Sequence, residues 1–396
     1  MAEMVIIGAG ECGVRAAFSL REHGHAGRIT LIGAESSLPY ERPPLSKGMG
    51  AAKPIRPEEA YDEAGISLMR GAEVSRIDRD AQRVRLGNGE SLPYDRLLLA
   101  TGARARLFPS LQGCLTLRTD RDAAALLPRL TPDARIGIIG GGFIGLELAA
   151  TARSLGARVT VIEAAPRLLA RAVPAEIAAV VEARHRAEGV DLRIGTGVAN
   201  ATGETITLAD GATHAFDAVI AGVGSVPNTE LAEQAGLTVE NGVRVDSRFR
   251  TPDPAIFAAG DCCSFEWRGA RLRLESWKAA QDQGAFATAC MLGCEGEETY
   301  GSVPWFWSDQ YDLTLQVAGL FDPARPVHQR STGDGQCVVF QCDPGNAPAA
   351  AAGIGPGNAV ARDIRIFEKL IERGVPVEPD VLADPSQNLK RLLRAA

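Results

Sequence analysis

Short apolar runs alternate with helical patterns through the first two thirds of the chain. Met4–Ile7 is an apolar run ending in glycine, and from Val14 to Glu22 apolar residues recur at helical spacing. A second apolar run follows at Ile29–Ile32. The same order returns with an apolar run ending in Ile139, a helical pattern from Leu146 to Leu155 and a run at Val159–Ile162. Each copy predicts strand, helix, strand. Three more apolar runs end in small residues: Leu97-Leu-Leu-Ala-Thr-Gly102, Asp217-Ala-Val-Ile-Ala-Gly222 and Ile256-Phe-Ala-Ala-Gly-Asp261. The pattern then changes. Leu313–Val317 and Cys337–Phe340 read as strands. Ile364, Phe367, Leu370 and Ile371 share one helix face, which stops at Gly374 with Pro376 just beyond. Asp343–Gly357, rich in Pro, Gly and Ala, reads as a loop.

Both strand-to-helix joints carry G-x-G-x-x-G, as Gly8, Gly10, Gly13 and as Gly140, Gly142, Gly145. The first glycine permits the tight turn, the second lets the backbone approach a pyrophosphate, and the third lets helix and strand pack closely. The helix N-terminus offers free N–H groups to the phosphates. An acidic residue near the end of the second strand would hold a ribose hydroxyl pair. Glu163 fits this well. Glu35 fits less well, because Gly33 interrupts the strand end. One such loop is a weak signal, whereas two in full context imply two dinucleotides.

Length and composition narrow the class. The 396 residues predict two or three domains, and the net charge of −7 argues against a nucleic-acid binder. The N-terminus shows no basic segment before a long apolar core, and no apolar stretch is long enough to span a membrane. A cytoplasmic protein is expected. The eight cysteines form no C-x-x-C pair and the five histidines show no metal-ligand spacing, so free thiols and no metal are expected.

With both loops, Ala100-Thr101-Gly102, Gly222 and the Gly260-Asp261 turn in place, the chain resembles the two-dinucleotide flavoprotein disulfide-reductase superfamily. The expected fold class is α/β: two Rossmann-like dinucleotide-binding domains, glutathione-reductase-like, plus an α+β C-terminal domain. The resemblance implies FAD on the first loop and a nicotinamide dinucleotide on the second. It implies an FAD domain in two parts, 1–104 and 225–300, a nicotinamide domain at 105–224 and a C-terminal domain at 301–396. Asp261 would bond the ribityl chain, with Thr101 and Gly102 near the FAD.

The redox cysteines of the disulfide reductases are missing. Pro39-Tyr-Glu-Arg-Pro-Pro-Leu-Ser-Lys47 has none, and Cys114 stands alone in the nicotinamide domain, so thiol–disulfide exchange is disfavoured. That segment instead resembles the NADH-dependent ferredoxin reductases serving Rieske oxygenases and bacterial cytochromes P450. So do Glu275-Ser-Trp-Lys-Ala-Ala-Gln-Asp-Gln283, Pro304-Trp-Phe-Trp-Ser-Asp-Gln310 and Ala383-Asp-Pro-Ser-Gln-Asn-Leu-Lys390.

This closer resemblance implies that Arg42, Pro43 and Lys47 line the flavin, with Lys47 near N5 and paired with Glu147. Trp277 and Trp307 look like flavin-edge residues beside Glu275 and Ser276, Trp307 facing the electron exit. Trp305 and Phe306 read as core. Arg118 resembles an FAD-contacting arginine, and Phe143 and Ile144 would lie near the nicotinamide. Arg171 would lie on the adenosine side. Glu163 favours NADH over NADPH, with Arg167 and Arg171 able to soften the preference.

The implied partner is an acidic 2Fe–2S ferredoxin. It would be met by a local basic rim drawn from Arg268, Arg271, Arg273, Lys390 and Arg391. A monomer or homodimer is expected, without nucleic acid or membrane. Rival readings are an NADH oxidase that reduces oxygen directly and a flavin-bearing interaction protein resembling apoptosis-inducing factor.

Overall fold

The computed structural model describes residues 2–48, 52–294, 296, 298–330, 333 and 335–395. The chain divides into two compact units. One comprises Met1–Arg42, Ala51–Arg104 and Ser225–Ser302; the other comprises Pro43–Gly50, Ala105–Gly224 and Val303–Ala396.

The first unit is built on a five-stranded parallel sheet in the order Ile256–Ala258, Arg96–Leu99, Met4–Ile7, Ile29–Ile32, Ile66–Met69. All four residues of Met4–Ile7 and of Ile29–Ile32 are buried, as expected of strands covered on both faces. From the central Met4–Ile7 strand the chain winds first to one side and later to the other. The crevice at its carboxyl end, between Ile7 and Leu99, is therefore a topological switch point. The helices Glu11–Glu22 and Trp277–Leu292 cross closely there. A Cβ on Gly284 would stand 2.5 Å from the Cys12 carbonyl oxygen, so only glycine permits that approach.

The second unit repeats the plan with four parallel strands in the order Asp191–Ile194, Arg158–Glu163, Arg135–Ile139, Ala218–Ala221. It also holds a five-stranded antiparallel sheet in the order Trp305–Gln310, Leu313–Gly319, Pro348–Pro356, Cys337–Cys342, His328–Arg330. One face of this sheet packs under the helix Ala361–Arg373 through Ala351, Phe340, Ile364 and Phe367. The other face, with Leu315, Val317, Val339 and Ile354, shares a core with Leu148, Ile177 and Val181. The C-terminal residues and the second dinucleotide fold thus share a core within this unit.

The expected loop at Asp343–Gly357 is wrong. Pro348–Pro356 is a nine-residue central strand, and Ala350, Ala351 and Ala352 are fully buried. Its small residues answer to the helix above. A Cβ on Gly353 would lie 2.9 Å from Cβ of Val360 and 3.0 Å from Ile364. Close helix-to-sheet packing removed the bulky alternation by which a strand is recognised.

The ending Ala383–Lys390 is tied down by Arg330. This buried guanidinium donates to the carbonyls of Leu382 at 2.8 Å, Asp384 at 2.6 Å and Gln387 at 2.9 Å.

Candidate functional site

At the first glycine loop, Gly8 has φ +109° and its missing Cβ would collide with the Ala100 carbonyl at 2.1 Å. Gly13 abuts the Gly8 carbonyl, where a Cβ would meet oxygen at 1.9 Å. Gly10 is different. Beyond its immediate chain neighbours, nothing lies within 4 Å of where its Cβ would be. The open side of the turn therefore faces the uncapped N-terminus of the 12-residue helix Glu11–Glu22, whose N-cap Gly10 offers no side chain. A phosphate could take those N–H groups.

Neighbouring residues brace the crevice. Thr101 Oγ1 donates to the Asn228 carbonyl at 2.7 Å, and Asn228 Nδ2 returns a bond to the Thr101 carbonyl at 2.8 Å. Gly102 has φ +68° and Gly260 φ +80°. The Gly260 amide donates to buried Gln283, which sets the turn that carries Asp261. Glu35 accepts from Arg42 at 2.6 Å and from the Tyr40 hydroxyl. Tyr40 and Asn228 had no signal in the glycine pattern.

The second loop has the same backbone. Gly140 has φ +107°, and its Cβ would meet the Gly222 carbonyl at 2.4 Å; that of Gly145 would meet the Gly140 carbonyl at 2.2 Å. Around Gly142 there is again nothing within 4 Å, and the helix Phe143–Ser154 starts uncapped. Glu163 is held by backbone. It accepts from the Gly141 amide and the Ala165 amide, both at 2.6 Å. Phe143 packs edge-on against Phe306 at 5.1 Å, while Ile144 is 44 % exposed. Arg167 spends its guanidinium on the carbonyls of Leu168, Leu169 and Ala170, whereas Arg171 is exposed.

A polar cluster lies on the helix Phe143–Ser154. Glu147 and Thr151, one turn apart, grip the short helix Pro44–Lys47 that follows Pro43. Ser46 donates its hydroxyl to Glu147 Oε2, and Thr151 Oγ1 donates to the Ser46 carbonyl at 2.8 Å. These bonds tie the short helix Pro44–Lys47 to the second unit.

Lys47 Nζ lies 3.7 Å from Glu147 Oε1 but only 2.8 Å from Asp309 Oδ2. It stands over the Trp307 ring at 4.6 Å. Trp307 Nε1 donates to the same Asp309 oxygen at 3.0 Å, and Thr314 Oγ1 donates to the other at 2.9 Å. Burial pushes the Glu147 carboxyl up despite the lysine and the two hydroxyl donors. Burial also acts on Asp309, but the Lys47 hydrogen bond and charge, with Thr314 and Trp307, outweigh it and bring that carboxyl below its ordinary value.

Asp309, Ser46 and Ser308 were missed by sequence reasoning. The signal for Asp309 was present. Trp305, Trp307 and Asp309 alternate onto one face of the strand Trp305–Gln310. Trp305 and Phe306 pack at the margins of the apolar cores, each partly buried. Trp305 also stacks on Trp307 at 5.5 Å.

Among the remaining expected residues, Ser276 caps the helix Trp277–Leu292 by accepting from the Ala279 amide, and Trp277 opens that helix. Glu275 is engaged by Arg273 and Ser225. The Arg118 amide donates to Asp122 at 2.9 Å. Two members of the expected basic rim are committed internally, since Arg271 donates to the carbonyls of Val245 and Ser264 and Arg273 pairs with Glu275. Arg268 covers Trp267, and Lys390 and Arg391 are exposed. All eight cysteines are free thiols, and burial pushes Cys12 well up, so it stays neutral. Among the described residues no group of side chains could hold a metal ion, and no helix is long and apolar enough to cross a membrane.

Comparison with known proteins covers nearly the whole chain. Residues 2–284 match the family model described as pyridine nucleotide-disulphide oxidoreductase, and residues 305–393 match the one described as reductase C-terminal. The ferredoxin–NAD(+) reductase component of the anthranilate 1,2-dioxygenase system of Burkholderia cepacia is 42 % identical, over 98 % of both chains. Putidaredoxin reductase of Pseudomonas putida is 37 % identical over 99 % of this chain and 97 % of its own. Among solved structures, the covalent putidaredoxin reductase–putidaredoxin complex superposes with a TM-score of 0.94 at 35 % identity, covering 100 % of this chain and 99 % of the other.

Proposed function

We infer, from the premise that this chain belongs to the pyridine nucleotide-disulphide oxidoreductase family, that it is an FAD-dependent NADH:ferredoxin reductase. Its electron acceptor would be a 2Fe–2S ferredoxin that feeds an oxygenase or a cytochrome P450. The observation that carries this reading is the lysine fixed between two carboxylates and a tryptophan, in a chain with two open glycine cradles and no paired cysteines.

Both cradles fit a dinucleotide: each has an open glycine, uncapped helix amides and an acidic residue nearby. The first loop, Glu35, Arg42, Thr101, Gly102 and Asp261 would hold FAD. The second loop with Glu163 would hold the nicotinamide dinucleotide. Bound FAD supplies the conversion of a two-electron donor into a one-electron source. The protein's part is to bind, orient and neutralise. Lys47 presents a positive charge whose direction is set by Asp309 and Glu147. Trp307, held by its own bond to Asp309, keeps the ammonium from turning away. Neither a general acid nor a protein nucleophile is required.

Glu163 also supports NADH over NADPH. Its two oxygens are oriented by loop amides, and a carboxylate so placed accepts ribose hydroxyls and repels a 2′-phosphate. Arg167 is committed to carbonyls and leaves only Arg171 to favour the phosphate.

The test is cytochrome c reduction by the holoenzyme with NADH. Reduction is expected to depend on added 2Fe–2S ferredoxin and to stop without it. Oxygen uptake matching NADH oxidation in the absence of any carrier would overturn the reading. NADPH turning over faster than NADH would overturn the nucleotide preference alone.

A further inference from the structure

A line of buried polar side chains runs from Glu147 away from Lys47. Ser308 donates its hydroxyl to Glu147 Oε1 at 2.7 Å. Gln310 Nε2 donates to Ser308 Oγ at 3.0 Å, and Gln310 Oε1 meets His185 Nε2 at 2.8 Å. The Tyr311 hydroxyl meets His185 Nδ1 at 3.1 Å. His185 is fully buried, Ser308 is 1 % exposed, Glu147 4 % and Gln310 5 %. A small cavity lined by Val181, Arg184, His185, Gln310, Tyr311 and Leu315 flanks the outer end. Neither glycine loop nor the Lys47 cluster uses His185.

We propose that His185 is a positioning residue: through Gln310 and Ser308 it holds Glu147 as a hydroxyl acceptor and so fixes the Lys47 ammonium.

The directions of the bonds force this. Gln310 donates with nitrogen, so its oxygen must accept, and His185 Nε2 must carry the proton. In the neutral ring Nδ1 is left to accept the tyrosine hydroxyl. Burial, which lowers the imidazole's affinity for a proton, favours the same state. Because the Gln310 amide points a proton at Ser308 Oγ, the serine's own proton is turned to Glu147. The second hydroxyl, from Ser46, arrives at the other oxygen. Glu147 thus receives two donors and returns none, which stabilises the carboxylate against its burial. The amide of Gln310 interrupts any proton wire, so the chain transmits orientation and not protons.

Around His185 the Arg184 charge opposes a second ring proton, the Gln310 bond and Glu188 favour it, and burial outweighs them. Glu147 faces Lys47 and, farther off, Asp309; His185 faces Arg184, Glu188 and Tyr311. Charging the ring would take away Nδ1 as acceptor for Tyr311, whereas reversing the tautomer would leave Gln310 Oε1 without its donor and free the amide to flip. Ser308 could then turn away from Glu147.

The proposal rests on the reading of Lys47 as the flavin-side cation. Its test uses measurements that need no turnover. Nitrogen-15 NMR of the full-length holoenzyme should show His185 as the neutral Nε2–H tautomer. Infrared titration should follow the protonated-carboxyl band of Glu147, assigned by its loss in E147Q. In S308A and in H185F the titration midpoint should rise by about one pH unit, and the double variant should rise no further than either. Should H185F not fold, Q310M cuts the path one link on and carries the same expectation. An Nδ1–H tautomer, a midpoint unmoved by S308A, or additive shifts in the double variant would overturn the proposal. A failure of ferredoxin-dependent turnover with these spectroscopic results intact would instead overturn the functional reading.

Discussion

Gly8 and Gly140 occupy the same place in their two units, each pressed against a carbonyl of the next strand, Ala100 in one and Gly222 in the other. Their acidic residues are held differently. Glu35 is gripped by the side chains of Arg42 and Tyr40, whereas Glu163 is gripped by two backbone amides, Gly141 of the glycine loop and Ala165 of its own turn. Side-chain partners can move with a ligand, and amides of a tight turn cannot. The first arrangement suits a ligand that is buried once and kept. The second suits one that must enter and leave a site already oriented, with little ordering at each visit. One strand–turn–helix unit can thus serve a resident and an exchangeable dinucleotide, the difference lying in what braces one carboxylate.

The largest effect should come from the turns themselves. Gly8→Ala and Gly140→Ala each place a Cβ into a carbonyl oxygen at a φ above +100°. Each should cost about 3 kcal/mol or more, from overpacking and backbone strain together. Gly8→Ala should give colourless protein. Gly140→Ala should keep its yellow flavin and lose reduction by NADH. Gly10→Ala and Gly142→Ala, with open space beyond, should leave the melting temperature within a few degrees while still weakening dinucleotide binding. Equal losses of flavin from Gly8→Ala and Gly140→Ala would remove the distinction between the two units.

Next in size is Lys47→Met. Glu147 is 4 % exposed and would lose its nearest cation. Removing one partner of a buried pair costs 3–5 kcal/mol when both are fully enclosed; Lys47 is partly exposed, so about 2–3 kcal/mol is expected. The sign with pH is definite. The Glu147 carboxyl is raised in the folded protein by burial, so its protonated form persists above its unfolded value. The penalty of the variant should shrink as pH falls and grow as pH rises through the raised value. Denaturant melts at acid and neutral pH check this, and a penalty independent of pH would mean that Glu147 is not the group left exposed to the loss.

These cases show what the chain's pattern could and could not reveal. The glycine turns were legible because sterics leave one residue type at Gly8, Gly13, Gly140 and Gly145. The pairing of Lys47 was half legible. Glu147 was implied by the resemblance, but the nearer Asp309 lies 262 positions away from Lys47 in sequence, and no local rule links them. Alternation along Trp305–Gln310 put Asp309 on the face of Trp307 without saying what that face met. The strand Pro348–Pro356 was illegible for the opposite reason. Its alanines and glycines are dictated by the helix above, and small residues in series carry no period.

Glu163→Ala sharpens the contrast at the level of specificity. Losing a carboxylate that is fixed by amides removes both the acceptor for ribose hydroxyls and the repulsion of a 2′-phosphate. The ratio of kcat/KM for NADH over NADPH should fall by about 10- to 100-fold, or about 1.4–2.7 kcal/mol. Glu35→Ala should leave that ratio unchanged and instead loosen flavin, since Arg42 loses its partner. A changed nucleotide ratio in Glu35→Ala would assign the wrong dinucleotide to the first loop.

The smallest effect tests the first turn of each helix. Glu11 opens one helix and Phe143 the other. An ionised carboxylate beside a pyrophosphate would repel it, and the structure limits that charge. Burial raises the Glu11 carboxyl, although hydrogen bonds from Gln281, at 2.7 Å, and Trp277 oppose the rise. A raised carboxyl contributes stability below its unfolded value and loses it as pH increases through the folded one. Glu11→Gln keeps the bond to Gln281 without the charge. Its stability and flavin retention should match the wild type at low pH and exceed it slightly once wild-type Glu11 ionises. The side chain is only partly buried, so screening holds the gain to no more than about 0.5 kcal/mol. Flavin release measured from acid to neutral pH should therefore diverge between Glu11→Gln and wild type, while Phe143→Leu should change nicotinamide binding equally at every pH. Parallel pH profiles for Glu11→Gln and wild type would mean that the carboxyl never charges in the folded protein.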